Sequence, residues 1–285
     1  MILQENYRLN NGLLIPKVGF GTWMIDDIAV VQAVKDALEI GYRHIDTAQA
    51  YGNERGVGEA IRTSGIDRSD IFVTSKVAAE HKSYEAAAQS IDTSLSTLGL
   101  DTIDLMIIHA PQPWNEFREA NYDLENREVW RALEDAVRDG KVRAIGLSNF
   151  NQQDVENILT HATIKPAVNQ ILAHVANTPF DLIDFCQHND ILVEAYSPVG
   201  HGELMKNTAL QHLAQTYQVS VPQLAIRYCL ALGLLPLPKS ANKEHIKTNA
   251  ALDFTLTDDD IAYLKAFQVI DNYGESSGFP VYQKR

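Results

Sequence analysis

The sequence predicts a single (β/α)8 barrel preceded by a small β-hairpin. Three observations support this: eight short Val/Ile/Leu-rich runs of strand length, helical periodicity between them, and no Pro/Gly/Ser-rich linker anywhere in the chain. Alternation of this kind describes a parallel sheet covered by helices, and eight units are enough to close it. We therefore take residues 1–285 as one domain.

The opening segment Tyr7–Leu14 carries Asn11-Gly12 between apolar runs, a hairpin signal, and we place it as a cap over the N-terminal face of the barrel. The eight strand candidates follow at Val18–Phe20, His44–Asp46, Ile71–Ser75, Ile103–Ile108, Ala144–Leu147, Ala167–Asn169, Ile191–Tyr196 and Leu235–Pro238. Amphipathic stretches lie between them, among them Asp27–Ile40, Tyr84–Leu98, Arg127–Asp139 and Thr208–Tyr217.

Composition narrows the function. The chain has 45% hydrophobic residues, which excludes disorder as its main state, and a formal charge of −13, which argues against nucleic acid as a partner. Two cysteines, Cys186 and Cys229, stand in apolar stretches away from any Cys/His cluster, so neither a disulfide framework nor a metal site is expected. No apolar run reaches the ~18 residues that span a bilayer, and Met1–Lys17 lacks the pattern of a secretory signal. These features read as a cytoplasmic protein with no membrane partner; the oligomeric state stays open.

Working residues of such barrels lie at the C-terminal ends of the strands. Three neighbouring strands here end in Asp46, Lys76 and His109, and Tyr51 follows Asp46 by five residues. Adjacent strands are ~4.8 Å apart, so the four can converge. A phenol ionises near 10, and a cation beside its oxygen eases loss of the proton. Lys76 can supply that cation, Asp46 can hold it, Tyr51 becomes a general acid, and a neutral His109 can fix a carbonyl oxygen. Singly, each has an ordinary reading as cap, surface cation, loop aromatic or core histidine. Together, their succession along one edge of the barrel favours chemistry.

These residues stand within Gly41-Tyr42-Arg43-His44-Ile45-Asp46-Thr47-Ala48, Tyr51-Gly52-Asn53-Glu54, Ser75-Lys76 and Ile108-His109. With Gly146-Leu147-Ser148-Asn149-Phe150, Asn169-Gln170, Tyr196-Ser197-Pro198 and Pro238-Lys239-Ser240, the chain resembles the aldo-keto reductase family over nearly its whole length. The resemblance places that family's tetrad on Asp46, Tyr51, Lys76 and His109. It implies a nicotinamide cofactor stacked on Tyr196, with Ser148, Asn149 and Gln170 at the carboxamide and Thr22 and Ser197 near the ribose and pyrophosphate. For the adenosine phosphate it points to Lys239, Ser240, His245 and Asn249.

The segment 239–247 carries three lysines and one glutamate in an acidic chain, and a helix start follows Lys239 and Ser240; both features suit a 2′-phosphate and hence NADPH. His245 stands where relatives often have arginine, so NADH use is also open. Leu172 and Thr248 each replace a frequent glutamate. Ala110 replaces a tryptophan beside the histidine, a wall that Trp114 can supply, and Trp23 matches another pocket wall. The tail Asn272–Arg285, with Tyr273, Phe279 and Tyr282, can fold over the mouth.

The sequence thus points to a reductase of aldehydes or ketones acting on a small carbonyl substrate, such as a simple aldehyde, dicarbonyl or keto-sugar. Two other readings stay open: a non-catalytic nucleotide-binding barrel acting as a sensor or regulatory subunit, and a barrel enzyme of phosphate substrates using Lys76 as a Schiff-base amine.

Overall fold

Strands β1 (Asn6–Arg8) and β2 (Leu14–Pro16) pair antiparallel across the turn that holds Gly12, in a computed structural model that describes residues 1–283. Gly12 takes φ +88°, a left-handed conformation that suits glycine. Asn10 donates to the Pro166 carbonyl, Asn11 to that of Arg143 and Tyr7 to that of Leu234. All three acceptors belong to the entry ends of barrel strands, so the hairpin plugs the N-terminal face, with Leu9 and Ile15 buried in the barrel interior.

Eight parallel strands follow: β3 (Phe20–Gly21), β4 (His44–Asp46), β5 (Phe72–Val77), β6 (Ile103–Ile108), β7 (Val142–Ser148), β8 (Val168–Leu172), β9 (Leu192–Tyr196) and β10 (Leu235–Leu237), hydrogen-bonded in chain order. The ring is completed where Gly19 and Gly21 donate to the carbonyls of Pro236 and Pro238, at 3.1 and 3.0 Å. A side chain at Gly19 would collide with Leu237 and bring a Cβ to 2.6 Å from His44 Nδ1, so this approach requires glycine.

Helices α1 (Ala29–Ile40), α2 (Glu54–Arg62), α3 (Tyr84–Leu98), α4 (Asp123–Arg138), α5 (Gln152–His161), α6 (Phe180–His188), α7 (Thr208–Thr216), α8 (Val221–Ala231), α9 (Lys243–Ala250) and α10 (Asp258–Lys265) cover the strands. Their starts carry the caps that orphaned amides require. Ser83 accepts from the Ala86 amide, while Asn151 with Asp154 and Ser220 with Gln223 form reciprocal boxes.

Two main apolar cores result, with a small cluster of Ala79, Ala110 and Phe117 beside them. The larger lies between strands and helices, and a smaller one, with Phe72, Leu105, Ile107, Val168, Leu235 and Leu237, fills the lower barrel above the hairpin. Above it the interior turns polar, with His44, Thr74, Gln170, Glu194, Asp46 and Lys76 all buried. Several strands differ in extent from the sequence expectation. β5 runs on through Lys76 and β8 through Gln170, because continued pairing with Ile107 and Ser148 satisfies backbone groups that the loop assignment left open. Cys186 and Cys229 are free and buried. Among the described residues no helix is long and apolar enough to cross a membrane, and no His/Cys/Asp/Glu group could hold a metal.

Candidate active site

Asp46 ends β4, Lys76 lies near the end of β5, and His109 directly follows β6, its amide donating to the Val77 carbonyl. Tyr51 closes a single turn after β4, and Gly52, at φ +66°, reverses the chain behind it. The four predicted residues therefore meet. Lys76 is fully buried, and its ammonium donates to Asp46 Oδ1 at 2.6 Å, the Thr47 carbonyl at 2.8 Å and Tyr51 Oη at 3.2 Å. An ammonium has three hydrogens, and each has an acceptor. Since the Tyr51 oxygen accepts from Lys76, its own hydrogen is left to donate elsewhere.

Burial works against the charge on Lys76, but Asp46 and then Tyr51 outweigh it and hold the lysine pKa above its ordinary value. A Schiff-base role requires a neutral amine, so this environment opposes it. Burial raises the Tyr51 phenol and Lys76 draws it back, leaving it above its ordinary value. The cation thus lessens the cost of ionising the buried phenol without cancelling it. Burial, then Lys76, pushes His109 well below its ordinary pKa, so the imidazole is neutral. His109 Nδ1 is buried without a partner among the described residues. The tautomer that leaves a lone pair there, rather than an unsatisfied N–H, carries its hydrogen on Nε2.

Asp46, Tyr51 and His109 line one part of a cleft of about 920 Å³ that also reaches Lys239, Ser240, His245 and Asn249, with Lys76 buried behind them. Tyr196 lines it and donates to Asn149 Oδ1 at 2.7 Å. Asn149, in a left-handed conformation at φ +61°, donates to the His109 carbonyl and Ser148 Oγ, while Ser148 donates to the Gln170 carbonyl. Gln170 uses its amide nitrogen on Asp46 Oδ2 and Glu194 Oε2, both at 2.8 Å. Ser148, Asn149 and Gln170 are thus ordered by one another, and a ligand at Gln170 would meet its side-chain oxygen. Thr22 is fully buried with its hydroxyl on the Asp46 carbonyl, and it does not line the cleft, whereas Gly21 and Trp23 do.

At the far end, Lys239 lines the cleft and pairs with no carboxylate among the described residues, while partial burial lowers its pKa. Lys243 differs: its ammonium lies 2.7 Å from Glu39 and 3.3 Å from Asp36, so the positive island read from 239–247 is partly neutralised by α1. The helix start is also occupied, because Asn242 accepts from the Glu244 and His245 amides. Ser240 accepts from the Asn242 amide.

Trp114 packs edge-on to His109 at 5.2 Å, beside the buried Ala110 and Val281. Trp23 meets Phe279 at 5.0 Å and His201 at 5.5 Å. The tail reaches the cleft: Tyr282 bonds Ser197 Oγ at 2.8 Å, and Phe279 to Tyr282 line the opening. Lys284 and Arg285, the last residues of the predicted tail, lie outside the described residues.

Sequence reasoning missed Glu194, which resembled one more interior position of an apolar strand. It also missed His201, Met205, Ser220 and Pro222, cleft residues supplied by loops and helix starts without local signatures.

The profile of the Aldo/keto reductase family matches residues 17–269. The chain is 43% identical over 270 residues to the uncharacterized oxidoreductase YtbE of Bacillus subtilis, with 93% of each chain covered. It is 38% identical over 274 residues to the glyoxal reductase of the same organism, covering 95% of this chain and 96% of that one. Among solved structures, an aldo/keto reductase of Brucella melitensis superposes with a TM-score of 0.87 at 38% identity, over 93% of this chain and 98% of the other. A Bombyx mori aldo-keto reductase in complex with NADP does so with a TM-score of 0.87 at 34% identity, over 100% of both. The sequence match and the barrel together establish that this chain belongs to the aldo/keto reductase family.

Proposed function

We propose that this enzyme reduces an aldehyde or ketone to an alcohol, preferring NADPH as reductant, with Tyr51 as the proton donor. The observation that carries the reading is the Tyr51 hydroxyl, which accepts from a fully buried, fully engaged Lys76, on a ring whose centre lies 5.6 Å from that of a neutral His109. The glyoxal reductase among its relatives and the NADP complex among its structural neighbours support the same chemistry.

The residues present fit a dinucleotide. Among the described residues lining the cleft, Asp46 is the one carboxylate, and Lys76 neutralises it. In a chain of charge −13 that leaves an anion-tolerant groove with Lys239 at one end. Tyr196 offers an aromatic face for the nicotinamide, Ser148, Asn149 and Gln170 a polar wall for its carboxamide, and Ser197 and Ser240 hydroxyls along the groove. Lys239, His245 and Asn249 would meet the adenosine end. Lys239 favours the 2′-phosphate of NADPH, and the absence of an arginine at His245 leaves NADH usable.

When bound, the reduced nicotinamide supplies a hydride to the carbonyl carbon. His109 Nε2 donates a hydrogen bond to the carbonyl oxygen and orients it. Tyr51 gives that oxygen its proton, and Lys76, held charged by Asp46, stabilises the phenolate left behind. Trp23, Trp114 and the tail aromatics enclose the reacting carbonyl and keep water from it. We read the protein as one domain acting in the cytoplasm, where free thiols such as Cys186 and Cys229 stay reduced.

The reading is tested by titrating the protein with NADPH and NADH by fluorescence, then adding methylglyoxal, glyceraldehyde and a diketo-sugar. Tighter NADPH binding followed by carbonyl-dependent loss of signal is expected. Binding without oxidation by any carbonyl would point instead to a sensor.

A further inference from the structure

One carboxyl group in the barrel interior has no part in this scheme. Glu194 lies on β9 opposite Gln170 of β8 and Leu235 of β10, and none of its surface is exposed. Its Oε2 accepts from Gln170 Nε2 at 2.8 Å, and its Oε1 has no partner among the described residues. The same Gln170 nitrogen donates to Asp46 Oδ2 at 2.8 Å, and the other Asp46 oxygen holds Lys76. One amide therefore bridges carboxyl groups from two strands that are not neighbours, and a continuous line of contacts runs from Glu194 across the barrel to Tyr51. Leu235, beside it, fills interior space without the desolvation that a buried carboxyl suffers.

We propose that Glu194 is a positioning residue: through Gln170 it fixes the orientation of Asp46 and sets the charge beneath the Lys76–Tyr51 pair. This rests on the reading of Tyr51 as proton donor. The groups facing Glu194 are Asp46 from β4, Lys76 from β5 and the neutral Gln170 from β8, with apolar Leu235 from β10. His44 shares the interior but, at about 3, is uncharged near neutrality. Burial and then Asp46 push the Glu194 carboxyl up to about 8. Glu54 of α2, bonded to Ser75, also acts on Lys76; near neutral pH Glu194 keeps its proton, and of the two carboxyl groups that Gln170 bridges only Asp46 is ionised. Ionisation of Glu194 above that point adds the second charge, which raises the phenol further and slows its proton release.

The test compares wild type, Glu194→Gln and Glu194→Leu in carbonyl reduction across the neutral and alkaline range. Infrared spectra of the protein without cofactor accompany the kinetics. We expect wild-type kcat to fall roughly 3- to 10-fold through a one-proton step near 8 that Glu194→Gln lacks. Glu194→Leu should lower kcat by about 10-fold or more at neutral pH with a smaller change in KM, and Glu194→Gln should restore most of that loss, since it again offers Gln170 an acceptor. A carbonyl stretch of a protonated carboxylic acid should be present at neutral pH, titrate away near 8 and be missing in Glu194→Gln. Superimposable kinetic pH profiles, or no protonated-acid band, would overturn the proposal. If the band titrates as expected in a protein that reduces no carbonyl, the reductase reading has failed, and the catalytic role of Glu194 falls with it.

Discussion

Lys76 places its ammonium 3.2 Å from the Tyr51 oxygen only because the other two of its hydrogens are fixed, one on Asp46 Oδ1 and one on the Thr47 carbonyl. The lysine cannot swing away without leaving a buried carboxylate unpaired. The phenol therefore meets a cation whose position is set before any substrate arrives, which is the condition for electrostatic help that needs no reorganisation.

Replacing Tyr51 by Phe removes the proton and keeps the ring. Turnover should fall by ~10²- to 10⁴-fold, the usual range for a general acid, with NADPH affinity changed little. Single-turnover kinetics beside a fluorescence titration separates the two. Turnover equal to wild type would exclude Tyr51 as the donor.

The lysines of residues 239–247 should not be equivalent. Lys239 lines the cleft without a carboxylate partner among the described residues, whereas Lys243 is held by Glu39 and Asp36. Lys239→Ala should weaken NADPH by about 10- to 100-fold, the worth of a hydrogen bond to a charged group, and NADH far less. Lys243→Ala should leave both within about threefold, because exposed paired charges contribute little. Equal losses of NADPH and NADH in Lys239→Ala would remove the 2′-phosphate from its vicinity.

Residues whose meeting depends on neighbouring strands were legible. Asp46, Lys76 and His109 lie at or just past the C-terminal ends of β4, β5 and β6, which pair in chain order, so spacing alone brings them together. Contacts across the barrel were not. Gln170 reaches Asp46 from β8 to β4, and nothing local in Asn169-Gln170 signals a carboxylate on the opposite wall. Lys243 counted toward the positive island of 239–247, and its partners could not be read locally: they are on α1, and only the packing of α9 against α1 reveals them. Barrel strand ends shifted by a few residues because backbone pairing continues past the point where side-chain pattern ceases to read as strand.

The buried histidines should make the protein sensitive to acid. Burial holds His44 at about 3 and His174 at about 4 against an ordinary 6.5, and His109 well below it. In the unfolded chain all three take up protons below about 6.5, while the folded state excludes them down to its own lower values. The unfolded state then binds more protons, so stability is full above about 6.5 and declines as pH falls. Each such group contributes a slope of about 1.4 kcal/mol per pH unit inside its window. Melting temperature followed from pH 7 down to about 4 should drop with proton uptake on unfolding of roughly two to three at the lower end. A melting temperature unchanged over that range would contradict the buried, neutral assignment. His109 is uncharged throughout, so the imidazole should add no ionisation to the kcat profile between about 5 and 7.

The tail should act on ligand retention more than on chemistry. Tyr282 is 4% exposed, bonds Ser197 Oγ at 2.8 Å and packs on His201 at 4.7 Å and Tyr273 at 4.9 Å. None of these contacts touches Lys76 or Asp46. Tyr282→Ala removes an aromatic cluster member and a hydrogen bond, together about 1–3 kcal/mol of order in the wall that closes the cleft. Cofactor release should quicken by roughly 5- to 100-fold and the carbonyl KM rise, because the proposed reading places both ligands in the cleft whose opening Phe279 to Tyr282 line. The rate of the chemical step, measured with saturating ligands in a single turnover, should stay within about threefold, since in the proposed reading proton transfer rests on the Tyr51–Lys76 pair, which Tyr282 does not bond. Stopped-flow displacement of NADPH and rapid-quench turnover read these two quantities separately. A slowed chemical step with unchanged release would place Tyr282 in the reaction itself.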